Sequence, residues 1–205
     1  VPAASEISIC NRGLTKLGAR TISSFTDGSV AAGHCKNVYY DLRDLLLQKY
    51  RWDFTIKRVA LAADTTPPVF NRTTACLLPA DYLILLPDDP EIGFLGRDWI
   101  VEGRYLITND PAPINIRYTS KVTDVSLFHP LFIEALACKI AEELCEVITQ
   151  SNTKKAAAVD GFRLAIIDAK RIKAIELPPT IAQDGSWITA RSAGSSGPSG
   201  LGWPW

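Results

Sequence analysis

The chain has 205 residues, 22 basic against 22 acidic side chains, and is 47% hydrophobic. That length can bury an adequate core without a disulfide or a metal. Balanced charge argues against a dedicated nucleic-acid binder, which carries a basic excess.

Local patterns predict four helices. Ile7, Cys10, Leu14 and Leu17 recur at three- and four-residue spacings, a single stripe over residues 3–17. Ser5 is its expected N-cap and Gly18 its stop. Asp27-Gly28-Ser29 is a turn ending in a cap residue, and a second helix is expected over residues 29–50. Its expected stripe is Ala31, Cys35, Val38, Leu42 and Leu45.

The texture then changes. Prolines at 67, 68, 79, 87, 90, 111 and 113 argue against long helices, and strand-like runs occupy 54–61, 76–78, 82–86, 99–108 and 114–119. In the last run Ile114, Ile116 and Tyr118 alternate with polar residues, the signature of a half-buried strand. Glu102-Gly103 and Asn109-Asp110 are turn signals.

The third helix opens at His129-Pro130, where proline at the first helical position loses no hydrogen bond, and runs to about Gln150. One stripe is Ile133, Leu136, Ile140, Leu144 and Val147; a second is Cys138, Ala141, Cys145 and Ile148. A helix this apolar needs cover on two sides, so it is either central to the fold or meets a neighbouring subunit. Cys138, Ala141, Cys145 and Ile148 are the candidate interface. A short connection predicts that the fourth helix, to about Glu176, returns antiparallel, with Val159, Phe162, Ile166, Ala169 and Ile172 inward and Leu177-Pro178-Pro179 stopping it.

Beyond it, Ser192 to Gly202 is almost all Gly, Ser, Pro and Ala, too poor in apolar surface to offset its ordering entropy. It ends in Trp203-Pro204-Trp205. We read this as a flexible docking arm, with Trp187, Arg191, Leu201, Trp203, Pro204 and Trp205 as candidate contacts. The expected class is α+β. A mostly helical core of about four antiparallel helices (residues 1–51 and 129–177) would hold a β-rich insertion (52–128) and carry the extended arm (178–205).

No catalytic constellation emerges. His34 beside Cys35 has no further ligand at helical spacing. The cysteines at 10, 35, 76, 138 and 145 are odd in number, lack a CxxC spacing and suit reduced thiols in a cytoplasm. Glu142, Glu143 and Glu146 read as a solvated helix face. No run of about eighteen apolar residues suggests a membrane span, no basic-then-apolar segment suggests a secretory leader, and no P-loop is present. No enzyme activity, metal or cofactor is expected. Lys170, Arg171 and Lys173 are the best DNA-contact candidates, although Asp160, Asp168 and Glu176 are interspersed. They carry an alternative reading as a nucleic-acid-binding accessory protein.

Several blocks occur in a telling order: Ile9-Cys10-Asn11-Arg12-Gly13-Leu14-Thr15-Lys16-Leu17-Gly18, then Tyr50-Arg51-Trp52-Asp53-Phe54. Leu78-Pro79-Ala80-Asp81-Tyr82-Leu83 and Trp99-Ile100-Val101-Glu102-Gly103 follow. His129-Pro130-Leu131-Phe132-Ile133-Glu134-Ala135-Leu136-Ala137 closes the set, with Ile148-Thr149 at the helix end. Together they resemble the head-to-tail adaptors of short-tailed bacteriophages, the tail tubular protein A-like family, over roughly residues 5–176. The resemblance implies a non-enzymatic virion protein, assembled in the host cytoplasm into a homo-oligomeric ring, typically a dodecamer. That ring would sit between the portal protein and the tail nozzle protein, and double-stranded DNA would pass through its channel. The pattern departs at His129, where relatives commonly carry Asp, and in the Trp-ended arm, whose partner does not carry over.

Overall fold

Local capping chemistry sets the first helix. Ser5 accepts the Ser8 N–H and Ser8 returns the bond to the Ser5 N–H, a capping box that opens α1 (Glu6–Leu17). Gly18 ends it at φ 71°, a left-handed conformation that a Cβ would strain. The computed structural model describes residues 4–86 and 99–176. The chain divides into two compact units, 1–170 and 171–205. Everything below concerns the first unit, apart from the end of the last helix.

Ser29 caps α2 (Val30–Lys49) through the Ala32 N–H. After a 3-10 turn at Asp53–Thr55 come six strands among the described residues: β1 (Ile56–Leu61), β2 (Thr74–Leu77), β3 (Tyr82–Leu85), β4 (Trp99–Glu102), β5 (Tyr105–Thr108) and β6 (Ile114–Ser120). His129 and Pro130 start α3 (Pro130–Thr149), and α4 (Asn152–Glu176) follows. The class is α+β, as expected. The expected run over 99–108 is a hairpin, broken at Gly103 with φ 60°.

Both sheets are antiparallel and three-stranded, with orders β1-β6-β3 and β2-β5-β4. Val59, Leu61, Ile114, Ile116 and Tyr118 share one face of the first, since directly paired residues point the same way. They join Cys76 and Leu106 of the second sheet in a small apolar core. On its other face, Thr119 is buried, and β3 sends Leu83 into the larger helical core.

That larger core gathers around α3, on which Phe132, Ala135, Leu136, Ala137, Ile140, Ala141, Leu144 and Cys145 are all buried. α1 and α2 lie against it. α4 returns antiparallel, pairing Lys155 with Glu146 and Phe162 with Lys139. Two expected stripes shift. On α2 the buried line is Ala32, Cys35, Tyr39, Leu42 and Leu46, while Leu45 is exposed. The Tyr39 ring is fully buried beside Phe25, and Ala31 and Val38 are half-buried against the same core. On α4, Phe162, Ala165, Ile166 and Ala169 pack inward, but Val159 is exposed, as is Ile172, which falls in the second unit.

Candidate subunit contacts

α1 and α3 approach each other closely at Gly13. A Cβ built on Gly13 would lie 2.9 Å from the Ala137 carbonyl oxygen and 3.1 Å from Ile140 Cγ2. Only hydrogen at that position lets the two backbones approach so closely. Glu134 flanks the contact, bound by Lys16 Nζ at 2.6 Å and by Arg12. Burial works to raise the Glu134 carboxyl, but the Lys16 hydrogen bond and the charges of Lys16 and Arg12 outweigh it and hold it below the usual carboxylate range. Two residues before Gly13, the Asn11 amide donates to the Ile22 carbonyl at 2.8 Å and accepts the Ile22 N–H at 2.7 Å, fixing the loop that leaves α1.

Two further joints lie in the helical core and in the first sheet. Trp52 Nε1 donates to the Leu46 carbonyl at 3.0 Å while its ring meets Phe132 edge-on at 5.0 Å. Asp81 accepts from Lys57 Nζ at 2.5 Å and from the Tyr118 hydroxyl at 2.9 Å. Burial and that carboxylate push Tyr118 up to about 12.

The expected interface on α3 needs correction. Cys138, Ala141 and Cys145 are 4%, 1% and 0% exposed, covered within the chain. The reason is the close approach at Gly13, which brings the end of α1 over one flank, and the return of α4 over the other. Thr15, Leu17, Ala157, Ala158 and Gly161 line the narrow crevice left above Cys138 and Ala141. Ile148 alone keeps some surface and lines a separate cleft. The apolar circumference of α3 makes it the central helix.

The basic residues of α4 do not form one free stripe. Lys170 Nζ lies over the Tyr50 ring at 5.9 Å. Upstream, Lys154 donates to the Leu17 carbonyl at 3.1 Å and Lys155 pairs with Glu146. Arg171 is exposed and Lys173 half-buried, on different sides of the helix. Of the expected carboxylate strip, Glu142 is bound to Lys139 at 2.7 Å. Trp187, Arg191, Leu201, Trp203, Pro204 and Trp205 lie outside the described residues.

Two surface features escape a sequence reading based on periodicity. The first is a loop tip in the β-rich part, where Val69 and Phe70 are 96% and 75% exposed. Its only sequence signal is an apolar pair directly after Pro67-Pro68. The second is a cleft of about 900 Å³ at the other end of the helices. Leu17 and Ile22 form part of its lining, with Val30, Val147 and Ile148 from α2 and α3. Val30 is 75% exposed and Val147 53%. Among the described residues, no group of three His, Cys, Asp or Glu stands together to hold a metal. Nor is any helix there long and apolar enough to cross a membrane. No protein-family model matches the chain, and no curated protein matches it.

Proposed function

We propose that this chain is a structural subunit of a phage head-to-tail connector, forming a ring between portal and tail nozzle through which the genome passes. One observation carries the reading: the first, second and last of the blocks that suggest it in the sequence meet as joints of the fold. Gly13 of the first block rests on Ala137 of the last, more than a hundred residues later. Arg12 and Lys16 of the first block bind Glu134 of the last. Trp52 of the second block meets Phe132 of the last edge-on. Asp81 of the third anchors β1 and β6. Residues spaced this way in sequence and brought together this way in space act as one architectural unit, the part of a connector that must stay rigid under load.

Exposed apolar side chains at both ends of the helices also support the reading, since they suit a part gripped from two sides. The Trp-ended arm would hold portal or nozzle, with avidity from its repeated copies. The nucleic-acid alternative draws less support, because Lys154, Lys155 and Lys170 are engaged locally.

The test is the mass of the purified chain, alone and with portal, by light scattering, followed by negative-stain images. The expected species is annular and contains many copies of the chain. A chain that remains monomeric with and without portal refutes the proposal. Removing residues 200–205 should weaken attachment to portal or nozzle.

A further inference from the structure

We propose that Cys10 and Cys35 are a redox-active pair, a modification site at which a peroxide converts two thiols into a disulfide that staples α1 to α2. The inference goes beyond the connector reading and stands without it. Its basis is the seam between the two helices. At one step of that seam the Tyr40 hydroxyl donates to Glu6 Oε2 at 3.0 Å. About one turn further along α1, and a little over one turn back along α2, stand Cys10 and Cys35. The helices therefore run antiparallel here, and the cysteines are the next pair across the seam. Both are 0% exposed in the same core, and their thiols hydrogen-bond to each other.

That bond makes the two sulfurs unequal. The Cys10 S–H donates to Cys35. The bond, with burial, pushes the Cys10 thiol up, and the same bond holds the Cys35 thiol down. Cys35 is thus the attacking sulfur and Cys10 the resolving one. Tyr39 lies one turn beyond Cys35, close enough to Cys10 to feel its charge, and burial keeps its hydroxyl protonated. That hydroxyl has no hydrogen-bond partner among the described residues, which leaves it as a spare donor for a sulfur anion.

The chemistry balances with hydrogen peroxide as the oxidant. The Cys35 sulfur takes one peroxide oxygen and becomes a sulfenic acid, and the other oxygen leaves as water. The Cys10 sulfur then attacks that of Cys35. The S–S bond forms, the S–O bond breaks, and the oxygen leaves as water with the Cys10 proton. Two thiols lose two electrons, and one peroxide is reduced to two waters.

The other cysteines are placed differently. Cys138 and Cys145 stand two turns apart on α3, about 10 Å, too far to bridge. Cys138 faces Glu134 and Cys145 meets the Thr149 hydroxyl. Cys76 belongs to the small core of the β-rich part. The staple also falls where it adds most, because α1 leans mainly on α3 and meets α2 more lightly. Closing residues 10–35 into a loop should raise Tm by about 5–10 °C. On the connector reading, a subunit assembled in a reducing cytoplasm gains the staple after the particle leaves it.

The test treats the full, reduced chain with hydrogen peroxide while it is folded. The chain has no methionine to compete for the oxidant. After quenching, free thiols are alkylated in denaturant and the digest is read by mass spectrometry. We expect the Cys10–Cys35 linked peptide to form on the order of tenfold faster than oxidation at Cys76, Cys138 or Cys145, with reversal by dithiothreitol and the raised Tm. In the Cys10→Ala chain, Cys35 should stop at the sulfenic acid, trapped by dimedone. The mapping uses the unaltered chain, so it decides even where that variant fails to fold. Equal oxidation at all five cysteines, links with no preference for this pair, or a link that leaves Tm unchanged overturns the proposal. The ring is read separately, from the mass of the species formed with portal, so either reading falls alone.

Discussion

Replacing Gly13 with Ala puts two effects in opposition. In a helix interior, Ala is favoured over Gly by about 1 kcal/mol. At Gly13 the new methyl carbon would lie 2.9 Å from a backbone carbonyl oxygen and 3.1 and 3.3 Å from two Ile140 carbons. The carbonyl belongs to the central helix and cannot rotate away. α1 must therefore move outward, loosening Leu14 and Leu17, which are buried in the same core. Such overpacking costs roughly 1–3 kcal/mol, and partial loss of packing along α1 adds to it. The net expectation is a loss of about 1–2 kcal/mol, or roughly 3–6 °C in Tm for a domain of this size. Gly161→Ala is the matched control, because nothing lies within 4 Å of its added Cβ. It should gain about 0.5–1 kcal/mol from propensity alone. Urea unfolding of the three proteins, followed by circular dichroism, measures both signs. If Gly13→Ala is as stable as Gly161→Ala, the close approach of α1 and α3 is refuted.

Three other substitutions probe separate joints. Glu134→Gln should be less stable than the parent at pH 7 by up to about 1 kcal/mol, since its cations are largely exposed. Its folded-state carboxyl is held low, so that advantage exists above the ordinary carboxylate value and is lost as pH falls through the lowered one. The two unfolding curves should converge in acid, and a constant gap down to low pH would contradict the ion pair. Asp81→Asn removes the carboxylate that helps raise Tyr118, so the hydroxyl should titrate part-way back from about 12 toward its ordinary value. Carbon-13 NMR of labelled tyrosine reads this directly, and an unmoved resonance profile argues against the contact. Trp52→Phe keeps an aromatic ring beside Phe132 but leaves the Leu46 carbonyl without its indole donor. That carbonyl keeps the Tyr50 N–H, so a loss of about 0.5–1.5 kcal/mol in chemical denaturation is expected, and a neutral result would argue against the indole bond.

The sequence by itself determined the helices and their ends. Ser5, Gly18, Ser29 and Pro130 act on backbone groups a few residues away, so their effect is legible wherever they stand. The alternation through Ile114, Ile116 and Tyr118 likewise marks its inward face without reference to any partner. It also showed that α3 needs cover on more than one side. Only the tertiary structure decided what provides that cover. Cys138 and Ala141 are enclosed because Gly13 lets α1 approach, a contact across more than a hundred residues that no local period encodes. On α2 both Val38 and Tyr39 reach the core, but only Tyr39 is fully enclosed, beside Phe25, and which neighbour is enclosed depends on contacts that the local period does not record. Strand order escaped for the same reason, since β6 joins the strands on either side of it only after the insertion folds back on itself. Exposure at Val69, Phe70, Val30 and Val147 was equally hidden, because a side chain is left in water by the absence of neighbours, which a one-dimensional pattern does not record.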